Sequence, residues 1–291
     1  MSWKRYVEKA LSEKLGNKVT IEGTRVESGG SINDAYSLFT GAGEFFVKIN
    51  SASLYPQMFE KEAAGLEILR KAGALEVPGT VLFGEENNTA FLVLKRIKSG
   101  NKKPGFWEDF GIKLAGLHKN TNDKFGLDHD NYIGSLVQIN GYCDTWSEFF
   151  VTKRLEVQIR LARNKGILSG STVKAFENFF NKTEEIFPPE NPSLVHGDLW
   201  GGNYMVNLNG NPVIIDPAVY YGHREMDLGM SKLFGGFDSR FYDAYNSAFP
   251  LEKGWQKRMD YCNLYPLMVH VNLFGGGYLM SVENILSKFR K

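Results

Sequence analysis

Hydrophobic and polar residues follow two different periods along the chain, and the period changes near residue 100. An apolar residue at every fourth position from Trp3 to Leu15 predicts an amphipathic first helix. Beyond it, apolar side chains recur at helical spacing over 58–71, which predicts a second helix. Short runs of β-forming residues around that helix predict a small antiparallel sheet over 18–27, 35–40, 44–49, 81–83 and 91–94, with a tight hairpin turn at 41–43.

Helical spacing dominates from residue 105 onward. It predicts helices over 107–117, 146–162 and 175–187, and a further helical region from Glu225 to the end. The helical pattern is interrupted over 193–215, where two short apolar strands flank Gly-rich and Asn-Gly turns. A polar Lys/Gly/Asn stretch at 98–103 separates the β-rich part from the helical part. The pattern therefore predicts an α+β chain of two lobes, residues 1–97 and residues 98–291.

Composition narrows the classes of protein that fit this pattern. The chain has 291 residues, of which 43% are hydrophobic, and a formal net charge of +1. A balance so close to neutral argues against a general affinity for nucleic acid or for an anionic membrane. No apolar stretch approaches the length that spans a bilayer, and the two cysteines, Cys143 and Cys262, exclude a disulfide framework. We expect a cytoplasmic protein with neither a nucleic-acid nor a membrane partner.

The segment from Leu194 to Asn203 is the most informative about chemistry. An apolar strand leads there to Asp198, Asn203 follows five residues later, and a second pair of strands delivers Asp216. Phosphoryl transfer uses such a set, because one carboxylate accepts the proton of the acceptor hydroxyl while an amide oxygen and another carboxylate bind Mg²⁺. We interpret Asp198 as the catalytic group and Asn203 and Asp216 as magnesium ligands, brought to one end of a hairpin.

A second constellation lies in the β-rich part. Lys48 occurs within the apolar strand Phe45-Phe46-Val47-Lys48-Ile49, and Glu62 lies on the helix that follows. A buried lysine is costly unless it is paired, so Glu62 is its expected partner. In kinases such a pair orients the lysine onto the nucleotide phosphates. Upstream, the Gly-rich turn at 28–33 contains Gly29, Gly30 and Ser31, whose backbone amides could cover phosphates.

The order of these features along the chain is that of a kinase, and it favours a small acceptor. Asp216 is followed by Pro217 instead of Phe-Gly, and the next helix begins near Glu225. This leaves no room for the phosphorylatable activation segment of regulated protein kinases.

In these motifs the chain resembles the fructosamine/ketosamine-3-kinase family, a relative of the aminoglycoside phosphotransferases. The resemblance covers nearly the whole chain. The matching stretches are GGSINDAY from Gly29, MFEKEAAGL from Met58, FGLDHDNYIG from Phe125, WSEFFVTKRL from Trp146, LVHGDLWGGN from Leu194, IIDPAVYYGHREMDLGM from Ile214 and LFGGF from Leu233.

The resemblance implies a protein-kinase-like fold and an enzyme that phosphorylates O3 on the sugar of a ketoamine. Separately, we expect the chain to be a monomer. ATP and Mg²⁺ would be its cofactors, and its acceptors would be ribulosamines, erythrulosamines and fructosamine adducts of amines or proteins. Residues 1–97 would then be the nucleotide-binding lobe, and residues 98–291 would carry the catalytic loop and the acceptor pocket. The family's roles fall on Lys48, Glu62, Asp198, Asn203 and Asp216, with nucleotide-base contacts through the backbone of Lys95, Arg96 and Ile97.

Other interpretations stay open from the sequence. The acceptor could be an aminoglycoside, choline or a free sugar, or the chain could be a catalytically silent nucleotide-binding module. His196 is expected to support the loop by packing, and Asp227 to brace it or cap a helix rather than to bind metal. Trp200 is either a lid on the acceptor pocket or a packed aromatic. We expect the aromatic residues of 146–150 to lie in the core.

Overall fold

The computed structural model describes residues 3–27 and 32–290, which divide into two packed units. The first unit comprises Met1–Phe106 together with Gly202–Pro217. The second comprises Trp107–Gly201 together with Ala218–Lys291. Gly202–Pro217 thus packs with the N-terminal part of the chain, although it lies far from it in sequence. The division at residues 97 and 98 into a nucleotide lobe and an acceptor lobe stays a prediction.

The first unit is built on an antiparallel sheet of five strands, in the order β1-β2-β3-β5-β4. The predicted strands, the first helix and the inserted helix are all present. The elements are α1 (Trp3–Leu15), β1 (Ile21–Val26), β2 (Asp34–Thr40), β3 (Gly43–Ser51), α2 (Met58–Ala72), β4 (Thr80–Glu86) and β5 (Thr89–Lys95).

Alternation along β3 gives the sheet two different faces. Phe45, Val47 and Ile49 are buried in one cluster with Val7 and Leu11 of α1. Full burial of an aliphatic side chain of this size contributes about 1.5–3 kcal/mol. Because successive side chains of a strand point to opposite faces, the residues between them point away from α1. Helix α1 therefore covers one face of the sheet, and the opposite face is available to bind a ligand.

The hairpin within Gly202–Pro217 belongs to the first unit and consists of β9 (Tyr204–Val206) and β10 (Pro212–Ile214). Its strands pair antiparallel, with Tyr204 opposite Ile214. The main-chain NH of Ile214 also donates to the carbonyl of Glu76, which joins the hairpin to the segment before β4.

The second unit is mainly helical. Its helices are α3 (Phe106–His118, which begins at the last residue of the first unit), α4 (Trp146–Phe149), α5 (Glu156–Asn164), α6 (Gly170–Phe180), α7 (Thr183–Ile186), α8 (Glu225–Lys232), α9 (Ser239–Ala248), α10 (Trp255–Cys262), α11 (Leu264–Phe274) and α12 (Leu279–Leu286). Two short strand pairs accompany them, β6 (Asn131–Ile133) with β7 (Leu136–Gln138) and β8 (Ser193–Val195) with β11 (Tyr220–Gly222).

Three local predictions differ from the structure. The helix expected over 146–162 contains a π-helical segment, Phe150–Leu155, between α4 and α5. The helix expected over 175–187 begins earlier, because the side chain of Ser169 accepts a hydrogen bond from the NH of Thr172 and caps α6. It also breaks after Phe180. Three short strands, not two, lie within 193–215.

Two expectations from composition can be compared with the described residues. Cys143 and Cys262 are free and buried. No helix in the described part of the chain is long and apolar enough to cross a membrane.

Candidate active site

Lys48 lies on the sheet face opposite α1 and is held by two carboxylates. Its Nζ donates to Oε1 of Glu62 on α2 at 2.6 Å and to Oδ1 of Asp216 at 2.8 Å. The side chains of Lys48 and Glu62 are only 7% and 11% exposed, whereas that of Asp216 is 43% exposed. The structure thus forms the expected pair of Lys48 with Glu62 and adds Asp216 to it.

The electrostatics of this cluster keep the lysine charged. Burial acts to lower the pKa of Lys48, but attraction by Asp216 and Glu62 outweighs it, so the pKa lies above its ordinary value. Burial raises the pKa of Glu62, and the neighbouring Lys48 charge opposes only part of that effect. A fixed ammonium within the apolar strand β3 is suited to binding a phosphate group.

Asp216 and Asn203 lie at the same end of the β9–β10 hairpin, as predicted. The NH of Ile215 donates to the carbonyl of Asn203 at 3.0 Å, so the residues just outside the two strands are still paired. Asp216 has a φ of +56°, a left-handed conformation that is uncommon for a residue other than glycine. Such backbone strain is concentrated at functional sites.

The donor set of Asn203 and Asp216 fits Mg²⁺. Both supply hard oxygen atoms, and Mg²⁺ in kinases is bound by one or two protein ligands, with water and phosphate oxygens completing its octahedron. Asn203 is buried, whereas Asp216 presents an exposed carboxylate. Among the described residues no three side chains of His, Cys, Asp or Glu converge as a closed metal site would require. The arrangement therefore suits a metal shared with a phosphate ligand.

A cavity of about 300 Å³ lies within the first unit and is lined by residues predicted to bind the nucleotide. Lys48, Asn203 and Asp216 line it, together with Lys95, Arg96 and Ile97 at the end of β5. Apolar side chains complete the wall, among them Leu66, Leu94, Met205 and Ile215. Gly29, Gly30 and Ser31 lie outside the described residues, so their role stays a prediction.

Asp198 lies in the second unit, on the loop that follows β8. Its side chain is partly buried, and its NH donates to Nδ1 of His196 at 3.3 Å. His196 itself is fully buried. Gly197 between them has a φ of +84°, and an added Cβ would lie 2.0 Å from the carbonyl oxygen of Ala218. Only glycine fits this turn, and His196 has the supporting position expected of it.

The carboxylate of Asp227 on α8 braces the same loop. It accepts hydrogen bonds from the NH groups of His196 at 2.7 Å and Gly197 at 2.9 Å, and Nε2 of His118 lies 3.1 Å away. Burial acts to raise the pKa of Asp227, but hydrogen bonding and charge from His118, with the Gly197 bond, hold it below its ordinary value. These contacts are those of a brace, as the sequence favoured.

The aromatic residues near this loop divide into packed and partly exposed groups. Trp146, Phe149 and Phe150 are buried in the core, as predicted. Trp200 is only partly buried, and its ring centroid lies 6.2 Å from that of Phe234. Tyr220, by contrast, is fully buried.

Arg154 is a residue of the second unit that sequence reasoning missed. It is fully buried within the π-helical segment and donates to the carbonyl of Ile139 at 2.5 Å and to Oδ1 of Asn140 at 2.7 Å. Its guanidinium lies over the rings of Tyr220 and Phe149, at 4.0 and 4.4 Å from their centroids. No carboxylate among the described residues forms an ion pair with it, so amide and aromatic groups stabilise this charge. The only sequence signal was an arginine at a core-facing helical position.

A profile of the fructosamine kinase family matches residues 2–291. The chain belongs to the fructosamine kinase family. It is 38% identical over 286 residues to the probable ketoamine kinase of Synechocystis sp., covering 97% of this chain and 95% of that protein. It is 39% identical over 285 residues to the chloroplastic protein-ribulosamine 3-kinase of Arabidopsis thaliana, covering 96% and 85% of the two chains.

Solved structures agree with the family. The crystal structure named "Putative fructosamine-3-kinase" from Haemophilus somnus 129PT has a TM-score of 0.89 and 28% identity, over 97% of this chain and 96% of that one. A thermostable mutant of the aminoglycoside phosphotransferase APH(4)-Ia has a TM-score of 0.66 at 15% identity, over 97% of this chain and 98% of that one, which shows a shared fold. The predicted α+β, protein-kinase-like fold and the predicted family are confirmed. This fructosamine kinase family member is a phosphotransferase.

Proposed function

We propose that this enzyme transfers the γ-phosphate of ATP to the O3 hydroxyl of a ketosamine. Ribulosamine and erythrulosamine adducts are the preferred acceptors, and fructosamine adducts of amines or proteins are further ones. The observation that carries the proposal is the ion-paired Lys48, held by Glu62 and Asp216 in a cavity that Asn203 also lines. Membership of the fructosamine kinase family supports the choice of a ketoamine acceptor.

In the proposed mechanism each polar residue has one task. Lys48 binds the nucleotide phosphates, and Glu62 holds its ammonium group in place. Asp198 accepts the proton of the O3 hydroxyl as that oxygen bonds to the γ-phosphorus, the bond from this phosphorus to the bridging oxygen breaks, and ADP leaves. Because phosphoryl transfer depends mainly on positioning and charge stabilisation, these fixed carboxylates and the lysine are what the reaction requires of the chain.

Asn203 and Asp216 are the proposed ligands of Mg²⁺. When bound, the metal would neutralise charge that develops on the phosphate oxygens. The backbone of Gly29, Gly30 and Ser31 is proposed to cover the phosphates, and that of Lys95, Arg96 and Ile97 to bind the base. The cytoplasmic location, the monomeric state and the division into lobes of 1–97 and 98–291 remain predictions from the sequence.

The experiment that tests this proposal measures acceptor-dependent release of ADP from Mg-ATP. Ribulose-lysine, fructose-lysine, an aminoglycoside and a reaction without acceptor are compared for the wild type. Asp198→Asn is the loss-of-function variant, and Asp243→Asn, on the exposed surface of α9, is its matched control.

The proposal expects turnover that is selective for a ketoamine, lost in Asp198→Asn and retained in Asp243→Asn. Turnover confined to the aminoglycoside would favour another small-molecule kinase of this fold. ATP binding with every acceptor silent would overturn the ketosamine assignment.

A further inference from the structure

Glu27 lies in the wall of the cavity, at the end of β1, and has no role in the mechanism described above. Its NH donates to the carbonyl of Ala35 on β2 at 2.9 Å, which continues the ladder between these strands by one residue. Its side chain is 28% exposed. A carboxylate in a cavity that also receives phosphates would repel them unless it contributed something specific.

The strand register relates Glu27 to Lys48. Glu27 is opposite Ala35, and Ala35 is opposite Lys48 on β3, so the three residues form one row across the sheet. Neighbouring strands are about 4.8 Å apart, which separates the Glu27 and Lys48 backbones by roughly 10 Å. The next row on the same face of the sheet contains Ser37 and Phe46, and both line the cavity. Glu27 is therefore displaced sideways from the proposed phosphate site, along the cavity face of the sheet.

One oxygen of the Glu27 carboxylate is fully engaged. Its Oε1 accepts hydrogen bonds from Nε and Nη2 of Arg25, at 3.0 and 2.6 Å, and from the hydroxyl of Ser37. The Ser37 hydroxyl in turn accepts a bond from Nε of Arg96 at 2.9 Å. Within the described residues Oε2 of Glu27 receives no such bond. The network fixes the carboxylate and leaves Oε2 able to accept a hydrogen bond from a ligand in the cavity.

The carboxylate also stays ionised in this network. Burial acts to raise the pKa of Glu27, but the hydrogen bonds from Ser37 and Arg25 outweigh it and hold the pKa below its ordinary value. An ionised carboxylate is an acceptor only, and its bonds from hydroxyl groups are shorter and stronger than neutral ones. A ligand group bound here must therefore be a donor, and a hydroxyl fits.

A nucleotide offers such hydroxyls on its ribose, between the phosphates and the base. On the proposed function, phosphates bind at Lys48, and the base lies against apolar wall residues such as Leu94 and Met205. We infer that Glu27 accepts a hydrogen bond from a ribose hydroxyl through Oε2 and so selects ribonucleotides over deoxyribonucleotides. This inference rests on the proposed nucleotide site but concerns a residue to which that site gives no role.

The test measures nucleotide affinity without any acceptor, so it is independent of the sugar substrate. Isothermal titration calorimetry with Mg²⁺ compares ADP, 2′-deoxy-ADP and 3′-deoxy-ADP for the intact chain. Hydrogen bonds to charged groups are strong enough that losing the hydroxyl in contact should weaken binding about 10-fold or more. Glu27→Ala should bind ADP as weakly as the wild type binds the deoxynucleotide that lacks the contacted hydroxyl. The affinities of this variant for ADP and for that deoxynucleotide should differ by less than about 3-fold.

Glu44→Ala is the matched control. Glu44 accepts bonds from Arg96 and Lys98, at 2.7 and 2.9 Å, but is not among the described residues that line the cavity. The Glu44→Ala variant should keep the wild-type preference for ADP over the deoxynucleotide. The substitution removes one carboxylate that contacts Arg96 but leaves the Glu27 carboxylate in the cavity.

Three outcomes would overturn the inference. In the first, the wild type binds ADP and both deoxynucleotides equally. In the second, Glu27→Ala still prefers ADP over the deoxynucleotide, or Glu44→Ala loses this preference as fully as Glu27→Ala does. Loss in both variants would mean that the preference depends on Arg96 and not on the Glu27 carboxylate. In the third, the wild type binds none of the nucleotides, which would also overturn the proposed nucleotide site. The first two leave that site standing, so the failures are distinguishable.

Discussion

Nζ of Lys48 lies 2.8 Å from Oδ1 of Asp216, joining residues 168 positions apart in the chain. Lys48 is nearly buried, whereas Asp216 is partly exposed and has a left-handed backbone. The contact draws the proposed phosphate-binding cation and the proposed metal-binding carboxylate into one cavity. We therefore expect different effects when the two residues are replaced. Substitution of Asp216 should lower activity alone, whereas substitution of Lys48 should lower both activity and stability.

Asp216→Ala should abolish turnover while leaving the fold intact. Glu62 still pairs with the buried Lys48 in this variant, so the fold should be retained, whereas half of the proposed magnesium site is removed. We expect a loss of about 10³-fold in kcat, of the size seen when a main electrostatic group is removed. Steady-state kinetics across a Mg²⁺ titration and circular dichroism would measure both effects. A variant that kept most of its activity at saturating Mg²⁺ would contradict the metal assignment.

Lys48→Met should destabilise the protein as well as inactivate it. The substitution leaves Glu62 buried without its cation, which typically costs about 3–5 kcal/mol. The double variant Lys48→Met with Glu62→Leu should regain much of the free energy of unfolding, because it removes the buried charge, but should regain no activity. Urea unfolding and kcat/KM are the measurements. Equal stability of the single and double variants would show that burial of Glu62 is not the source of the cost.

Asp227→Asn should weaken the loop that contains Asp198. An amide cannot accept all the hydrogen bonds that the carboxylate receives from His196, Gly197 and His118, so we expect a loss of about 2–3 kcal/mol at pH 7. Activity should fall too, because the Asp198 backbone is no longer fixed. Urea unfolding and kcat at pH 7 test this, with Asp243→Asn as the exposed control.

The pH dependence of Asp227 has a definite sign. Because its pKa is lower in the folded chain than in the unfolded one, the carboxylate stabilises the fold above the ordinary pKa of 3.8, and this stabilisation is lost as pH falls through the lowered value. The difference in unfolding free energy between wild type and Asp227→Asn should therefore shrink below about pH 4. A difference that grew with acidification would contradict the account.

Arg154→Lys should be destabilising despite keeping the charge. The single nitrogen of lysine cannot reproduce the fork in which Nη1 and Nη2 donate separately to Ile139 and Asn140, and lysine has no planar group to lie over Tyr220. We expect a loss of about 2–4 kcal/mol in urea unfolding. Arg163→Lys on the exposed side of the next helix is the control. If the two variants were equally stable, the buried guanidinium would not have the structural importance assigned to it.

Most of the fold was predictable because the relevant signals are local. The fourth-residue repeat of α1 buries one face of that helix, the apolar run of 44–49 forms β3, and the Gly41-Ala42-Gly43 turn lies between β2 and β3. The pairing of Lys48 with Glu62 was also predictable, since a lysine in an apolar strand requires a partner and few carboxylates lie nearby in sequence.

Other features depend on contacts that no local pattern encodes. The π-helical segment around Arg154 arises from packing on residues distant in sequence. The bond between Glu27 and Ser37 depends on the register of two strands, which is set by the whole sheet. Asp216 follows an ordinary apolar strand, and nothing in the sequence indicates its left-handed backbone conformation.

If this chain phosphorylates O3 of a ketoamine, the position of the phosphate in the product shows it. Ribulose-lysine would be incubated with Mg-ATP and the enzyme, and the product examined by two-dimensional ¹H–³¹P NMR. We expect a single product phosphorus signal coupled to the proton on C3 of the ketoamine sugar, and no such signal when Asp198→Asn replaces the wild type. A phosphorus signal coupled to any other position, or the same signal at undiminished rate from Asp198→Asn, would contradict it.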